Sequence, residues 1–359
     1  MIEERLVLQM KKEHFVAYVS TYTFGDDYGL RVYDVDMEQG RLIERSQFEI
    51  TNSSYVTISH NRKFLYAITD FGVQAYKIEK NGDLTPLNKE SINGMRGCYL
   101  NTDYTDSYLF VAGYHDGKVT VMKLREDGGI SHICDEVYHK GLGSISERNF
   151  RPHINCVKMT RDNKYLCAVD LGTDHINVYK FDVKTGKLHA DDVIYSEVES
   201  APRHIKFLMN GHIGYVIHEL KNTIGVYHYE EVNGHAEFEL IQTVSTLNAP
   251  SSNSAASALN LSEDDRYLIC SNAGDDSVSI FEVNQDDGTL KKLFTLPVSG
   301  NYPKDALIFP DNRHLVSLNH ESDTMTFFTI DYEKKIMVMN GPSMHVVKPN
   351  CLIFHKAEE

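Results

Sequence analysis

The sequence contains no tryptophan, no CxxC pair and no long apolar run. The missing Trp excludes the WD-repeat signature, which requires a Trp-Asp pair. No stretch reaches the roughly 18 to 20 apolar residues of a membrane span. The charged residues 1–13 do not resemble a signal peptide. We therefore expect a cytoplasmic protein whose six cysteines are buried free thiols rather than disulfides or zinc ligands.

Basic residues are also fewer than acidic residues. The chain has 36 Lys and Arg against 51 Asp and Glu, a formal charge of −15. Such a balance argues against nucleic acid or an anionic membrane as the main partner. No HExxH, Asp-rich calcium loop, phosphate-binding Gly loop or Ser nucleophile elbow occurs. We therefore predict no metal and no cofactor, whereas protein partners stay open.

A hydrophobic run that ends in a polar residue or Gly recurs seven times in 359 residues. The runs are FVAYVS (15–20), FLYAIT (64–69), YLFVAG (108–113), YLCAVD (165–170), GYVIHE (214–219), YLICSN (267–272) and HLVSLN (314–319). An alternating run with a central aromatic or Met follows each one, and a turn glycine follows six of the seven pairs. Short aromatic and β-branched runs bounded by Asn, Asp and Gly are typical of strands. A repeat of this length predicts an all-β, seven-bladed β-propeller with four antiparallel strands per blade.

The two chain ends complement each other in this scheme. A further short run precedes each hydrophobic run except the first, and an unused copy, PNCLIF (349–354), lies at the C-terminus. We predict that this C-terminal strand becomes the innermost strand of the first blade and closes the ring. Closure would remove free sheet edges. Residues 1–359 would then form a single propeller domain.

The meander also predicts which polar residues meet. The start of the first strand and the end of the second strand of a blade should lie on the same face, near the channel. The predicted rim consists of Arg96, His153, Asn155, Asp170, Arg203, His204, Glu219, Asn272, Lys304, Asn319 and His320. It holds more cations and histidines than acids, so an acidic protein would have a basic channel mouth suited to a small anion.

A purely structural explanation of these residues stays open. Polar residues at strand ends often satisfy backbone groups or form turns, which is an alternative for Asp170, Asn272 and Asn319. Arg203 and Glu219 could form an ion pair with no chemical role, because buried pairs are weak evidence of stabilising value. Charged pairs in clefts are nevertheless enriched at active sites.

Residues 201–207 (APRHIKF) and 216–220 (VIHEL) resemble the PRH…NEL signature of the seven-bladed propeller lactonase family. That family includes propeller-type 6-phosphogluconolactonases and 3-carboxy-cis,cis-muconate lactonizing enzymes. Further similar segments are RPH (151–153), VDLG (169–172), SNAG (271–274), PKD (303–305) and LNH (318–320). The resemblance covers essentially the whole chain and implies the propeller fold.

The resemblance also implies site residues, with departures. In the lactonizing enzymes the proposed active groups are a His, two Arg and a Glu. Arg203 and Glu219 match one Arg and the Glu, whereas Asn155 stands at the His position and Ala273 at the second Arg. Lys304 stands where an Arg is common. These departures argue against a cycloisomerase.

Two functions follow as hypotheses. The first is a lactonase for a small phosphorylated or acidic sugar lactone, such as 6-phosphogluconolactone. Glu219 would be the general base, Arg203 would stabilise the oxyanion, and His153 or His204 would donate a proton to the leaving alkoxide. Substrate binding would involve Lys304, Asn155, Arg96, Asn272, Asn319, His320 and Asp170. The second is a catalytically altered propeller that binds a small anion or a protein, because fold alone does not decide function.

Overall fold

The computed structural model describes residues 13–23, 28–144 and 149–358. Of residues 1–13, which do not resemble a signal peptide, all but Glu13 lie outside the described residues. Strands and turns dominate, and no α-helix occurs in the described ranges. No helix among these residues is long and apolar enough to cross a membrane.

Seven antiparallel sheets, the blades, follow one another along the chain. The first three contain β1 (Phe15–Thr21), β2 (Leu30–Asp36), β3 (Arg41–Phe48); β4 (Val56–Ile58), β5 (Phe64–Thr69), β6 (Gly72–Ile78), β7 (Leu84–Ser91); and β8 (Tyr99–Thr102), β9 (Tyr108–Gly113), β10 (Lys118–Leu124), β11 (Ile130–Tyr138). The fourth and fifth contain β12 (Ile154–Met159), β13 (Tyr165–Asp170), β14 (His175–Asp182), β15 (Lys187–Tyr195); and β16 (Pro202–Phe207), β17 (Ile213–His218), β18 (Thr223–Val232), β19 (His235–Ser245). The last two contain β20 (Ala256–Leu261), β21 (Tyr267–Asn272), β22 (Ser277–Val283), β23 (Leu290–Pro297); and β24 (Pro303–Ile308), β25 (His314–Asn319), β26 (Thr324–Asp331), β27 (Ile336–Met339), β28 (Met344–His345). In the seventh blade β27 and β28 share the outer edge, since both pair with β26.

The predicted ring closure is confirmed. The final strand, β29 (Pro349–Lys356), pairs antiparallel with β1, so Phe15 lies opposite Lys356. The first blade therefore has the order β29-β1-β2-β3. The seven hydrophobic runs form the second strand of each blade, and most of their side chains are fully buried between sheets. All six cysteines are free thiols, four of them buried.

Buried tyrosines join neighbouring blades. The hydroxyl groups of Tyr18, Tyr66 and Tyr215 donate to the carbonyl oxygens of Gly82, Gly128 and Gly288, at 2.7, 3.0 and 2.8 Å. Each acceptor belongs to the turn between the two outer strands of the following blade, where the glycine has a φ between +75° and +84°. The turn glycines of the repeat thus allow the turn and also present a carbonyl to the preceding blade.

We expect Tyr66→Phe to lower the free energy of unfolding by about 1 to 2 kcal/mol, because the Gly128 carbonyl would lose its buried donor. Urea unfolding monitored by circular dichroism measures this change. Tyr195→Phe is the matched control, since Tyr195 is 72% exposed. An equal change in both variants would contradict the proposed inter-blade contact.

Candidate active site in the central channel

The innermost strands of the blades line a cavity of about 730 Å³ along the axis of the ring. Its wall is basic, although the whole chain is acidic. The charged side chains on the wall are Arg62, Arg96, Lys158, Arg161, Arg203, Lys206 and Lys304 against Glu219, Glu263, Asp265 and Asp305. A cavity of this volume is large enough for a small organic ligand.

Irregular backbone places the side chains at the channel mouth. The pairing of β16 with β17 shifts between Pro202 and His204, so Arg203 is the extra residue of a β-bulge. Lys304 of β24 occupies the equivalent bulge, as does Asn155 of β12. A bulge bends its strand and redirects a side chain. These bulges therefore present three polar side chains to one mouth of the channel.

Left-handed backbone accompanies two of these bulges. Ala201 and Tyr302 have φ values of 53° and 57°, and each directly precedes the proline that begins the inner strand. Such conformations cost about 1 to 3 kcal/mol per non-Gly residue, and the α region is further disfavoured before proline. The surrounding structure thus holds strain just before Arg203 and Lys304.

Arg203 and Glu219 form an ion pair at this mouth. The Arg203 Nη1 group donates to Glu219 Oε2, and the two side chains are only 13% and 3% exposed. Burial alone would lower the pKa of Arg203, but the charge and hydrogen bond of Glu219 outweigh it and raise the pKa. Glu219 is fixed by its backbone, since its N–H donates to the Ala201 carbonyl (2.8 Å). Within the described residues only Nη1 of the guanidinium is hydrogen-bonded, so Nη2 keeps its donors for a ligand.

Six of the eleven predicted rim residues line the cavity: Arg96, Asn155, Arg203, His204, Glu219 and Lys304. Arg96 Nη1 contacts Asp70 Oδ1 at 3.2 Å, and its guanidinium lies 4.9 Å from the Tyr22 ring centroid. Lys304 Nζ lies 5.6 Å from the ring centroid of Tyr302. These two cations flank the arginine–glutamate pair.

His204 lies on the cavity wall but does not suit the role of proton donor. Burial, followed by the charges of Arg203, Lys206 and Lys304, lowers its pKa well below the ordinary value. The ring is therefore neutral at pH 7. Its ring centroid lies 5.2 Å from that of Tyr99, so it packs within the wall. The role of His204 as proton donor stays a prediction, which the lowered pKa does not favour.

The other five predicted residues do not line the cavity. The His153 ring stacks on Tyr114 at 4.3 Å and its Nδ1 contacts the Tyr114 carbonyl oxygen at 2.7 Å, so its ring is occupied outside the channel. His320 packs edge-on against Tyr22. Their expected contact with substrate is therefore not supported by their position.

Asp170, Asn272 and Asn319 are buried within their blades rather than on the rim. Asn272 Nδ2 donates to the Ser277 and Ser279 hydroxyls at 3.0 and 3.1 Å. Asn319 Nδ2 donates to the Thr324 and Thr326 hydroxyls at 3.3 and 3.0 Å. The structural alternative fits these residues, because they tie the second strand to the third.

Sequence reasoning missed several residues of the wall. Tyr22, Tyr302 and His115 lie at the same mouth as Arg203, and Lys158 and Lys206 line the channel further in. Burial raises the pKa of Tyr22, although Arg96 lowers it in part. Tyr22, Tyr302 and His115 are not at the strand positions from which the rim was predicted. Lys158 and Lys206 lie within their inner strands, three positions after a bulge residue that only the strand pairing reveals.

His218 adds a pH dependence of stability next to the site. Burial lowers its pKa to about 4. The unfolded chain takes up a proton below pH ~6.5, whereas the folded chain stays neutral to pH ~4, so stability falls as the pH drops through this window. We expect His218→Asn to flatten the decline in melting temperature between pH 7.5 and 5. The exposed His189→Asn is the control, and equal slopes for His218→Asn and the unmodified protein would contradict this assignment.

The fold and site together define a seven-bladed β-propeller with an arginine–glutamate pair at the mouth of a basic channel. Residues 16–354 match the family model "Lactonase, 7-bladed beta-propeller". The chain belongs to this lactonase family. Family membership makes it a lactone hydrolase, as expected from the resemblance of its sequence.

The similar proteins cover nearly the whole chain. A 6-phosphogluconolactonase of Bacillus subtilis is 33% identical over 347 residues, which are 95% of this chain and 98% of that protein. A Staphylococcus saprophyticus protein without assigned function is 33% identical over 88% of this chain and 91% of its own. The solved structure of a periplasmic gluconolactonase of Pseudomonas aeruginosa is 26% identical with a TM-score of 0.88, and the match covers 96% of this chain and 99% of that chain.

Proposed function

We propose that the protein hydrolyses a small anionic sugar lactone of the 6-phosphogluconolactone type at the channel mouth. The buried Arg203–Glu219 pair within a basic wall is the observation that carries this proposal. The similarity to the B. subtilis 6-phosphogluconolactonase supports the choice of substrate.

Glu219 acts as the general base. Its ion pair with Arg203 keeps it ionised, because a neutral Glu219 would leave a buried guanidinium without a counter-charge. The carboxylate takes a proton from water as the water oxygen attacks the lactone carbonyl carbon. The resulting tetrahedral oxyanion accepts hydrogen bonds from the remaining N–H groups of Arg203.

Glu219 also supplies the proton for the leaving group. When the tetrahedral intermediate collapses, the ring C–O bond breaks and the alkoxide takes the proton that Glu219 received from water. This cycle balances without an imidazolium, which agrees with the neutral His204 and with His153 lying outside the channel. Asn155 at the expected histidine position is thus compatible with hydrolysis.

The anionic group of the substrate is bound by cations of the wall. Lys304 and Arg96 flank the pair, and Asn155 offers an amide at the same mouth. Two cations at the mouth favour an anionic over a neutral lactone through complementary charge.

Hydrolysis of 6-phosphogluconolactone, measured after subtraction of spontaneous ring opening, tests the proposal. We expect kcat/KM to be higher for this lactone than for unphosphorylated gluconolactone. The absence of turnover above the spontaneous rate with either lactone would contradict the proposal. Thermal stabilisation by 6-phosphogluconolactone but not by gluconolactone, without turnover, would instead favour an anion-binding module.

A further inference from the structure

The inner strands place one residue of each blade at a common depth in the channel. In each blade, one residue of the inner strand pairs with the fourth-last residue of the second strand. These seven residues occupy equivalent positions. In chain order, these residues are Thr57, Asn101, Lys158, Lys206, Asn260, Leu307 and Ile353. All seven line the cavity.

Side chains with an amide or an ammonium group occupy four consecutive blades of this ring. We call Asn101, Lys158, Lys206 and Asn260 the polar arc, whereas Leu307, Ile353 and Thr57 complete the ring on the remaining blades. Lys206 lies three residues past Arg203, which at about 3.3 Å per residue places the polar arc roughly 10 Å deeper than the mouth. The arc is therefore distinct from the arginine–glutamate pair.

Neither lysine of the polar arc forms a salt bridge in the part of the chain that the structure describes. Among the described residues, no acid lies within salt-bridge distance of Lys158 Nζ or Lys206 Nζ, whereas Arg203 pairs with Glu219 and Arg96 with Asp70. Asp305 is the acid whose pKa responds to Lys206. Its carboxylate already accepts from Asn260 Nδ2 and the N–H of Leu352, at 2.8 and 3.0 Å.

Like charge and desolvation both act on this lysine pair. Burial, followed by the charges of Lys206 and Arg161, lowers the pKa of Lys158 to about 7. Two neighbouring cations in a desolvated channel are unfavourable unless an anion joins them. A bound dianion would relieve this cost.

The arc also offers oriented donors besides charge. Asn101 Oδ1 accepts the N–H of Met159 at 3.1 Å, which fixes the amide beside Lys158 and leaves Nδ2 as a donor. Asn260 is held by Asp305 and by the carbonyl oxygen of Ala306 (3.0 Å). Two ammonium groups and one amide N–H₂ line this part of the wall, where the carboxylate of the neighbouring Asp305 is already occupied by Asn260 and by the backbone. Such a set of donors suits an acceptor-only tetrahedral dianion.

We propose that Lys158, Lys206 and Asn101 form a second anion site inside the channel, which binds a phosphate group. The group belongs either to free inorganic phosphate or to the phosphate ester of the substrate. The proposal for free phosphate is independent of the proposed lactonase activity, and only the ester source rests on it.

Calorimetric titration of the full-length protein with inorganic phosphate tests the site. We expect one phosphate per chain, and an affinity at least 10-fold weaker in Lys158→Met and in Lys206→Met. Lys180→Met, a substitution of an exposed lysine outside the channel, is the matched control. Unchanged phosphate affinity in both channel variants, or no binding to the unmodified protein at millimolar phosphate, would overturn the proposal.

Melting temperatures separate lost binding from lost folding. Without phosphate, both Met variants should melt at or above the temperature of the unmodified protein, because the charge repulsion between Lys158 and Lys206 is removed. Phosphate should raise the melting temperature of the unmodified protein and of Lys180→Met only. Equal stabilisation of the Met variants by phosphate would also overturn the site.

Kinetics distinguish the two sources. If the ester of the substrate occupies the arc, Lys206→Met raises KM for 6-phosphogluconolactone at least 10-fold and leaves KM for gluconolactone unchanged. If free phosphate occupies it, KM is unchanged for both lactones while phosphate affinity falls. Both results support the phosphate site. If the protein turns over neither lactone, the calorimetric titration with inorganic phosphate still tests the site.

Discussion

Glu219→Gln is expected to lower kcat for lactone hydrolysis by about 100-fold to 10,000-fold, the range for loss of a general base. The amide keeps the shape of the side chain, but it cannot take a proton from water or return one to the alkoxide. Steady-state kinetics with 6-phosphogluconolactone, corrected for spontaneous opening, measure the effect.

Two controls separate catalysis from folding. Glu321→Gln changes an exposed glutamate beside His320 that does not line the cavity, so its kcat should equal that of the unmodified protein. Glu219→Asp keeps the negative charge for Arg203 and should fold like the unmodified protein while kcat falls. If Glu219→Gln, folded by circular dichroism, retained full kcat, Glu219 would not be the base.

Asp170→Ala is expected to destabilise the protein by about 3 to 5 kcal/mol, the usual cost of removing one partner of a buried charged contact. Asp170 Oδ1 accepts the backbone N–H groups of His153 and Gly172, at 2.8 and 3.1 Å. Its Oδ2 contacts His139 Nδ1 at 2.8 Å, and both side chains are almost fully buried. Alanine would leave the two backbone N–H groups without their acceptor and would remove the carboxylate that contacts His139. Urea unfolding measures the loss.

Asp170→Asn provides the matched comparison. Asparagine keeps Oδ1 for the two backbone donors, and its Nδ2 can donate to His139 Nδ1 once the imidazole proton moves to Nε2. The Asn variant should therefore be clearly more stable than the Ala variant, with kcat/KM unchanged. If Asp170→Ala were as stable as the unmodified protein but bound substrate more weakly, Asp170 would be a substrate-binding residue, as the sequence predicts.

The architecture was predictable because it depends on patterns that repeat. Seven hydrophobic runs recur along the chain; the first lacks a preceding inner strand, and an extra inner strand follows the last unit. This pattern predicts a closed ring, and β29 pairs with β1 as predicted. The prediction of rim residues from the ends of strands was less successful. It identifies residues near a sheet edge, but not whether a side chain turns toward the channel, as with Arg203, or into its own blade, as with Asn272.

The bulges explain this difference. An extra residue such as Arg203 or Lys304 leaves no mark in a hydrophobic pattern, yet it reverses the direction of a side chain. His153 and Asn155 show the consequence, since the expected substrate ligand His153 stacks on Tyr114 and only Asn155 faces the cavity. The bulge also hides the lysines of the polar arc, because the shared register position of Lys158 and Lys206 emerges only from the strand pairing.

The late closure of the ring has a consequence during synthesis. Ser20 of β1 meets Cys351 of β29, which lies 331 positions later in the chain. At about 5 to 20 residues per second, a ribosome needs roughly 20 to 60 s to add the intervening chain. Throughout that time the channel-side edge of β1 has no strand to pair with, and an unpaired edge invites intermolecular pairing. The nascent chain therefore depends on β29, which is made much later, to protect the edge of β1.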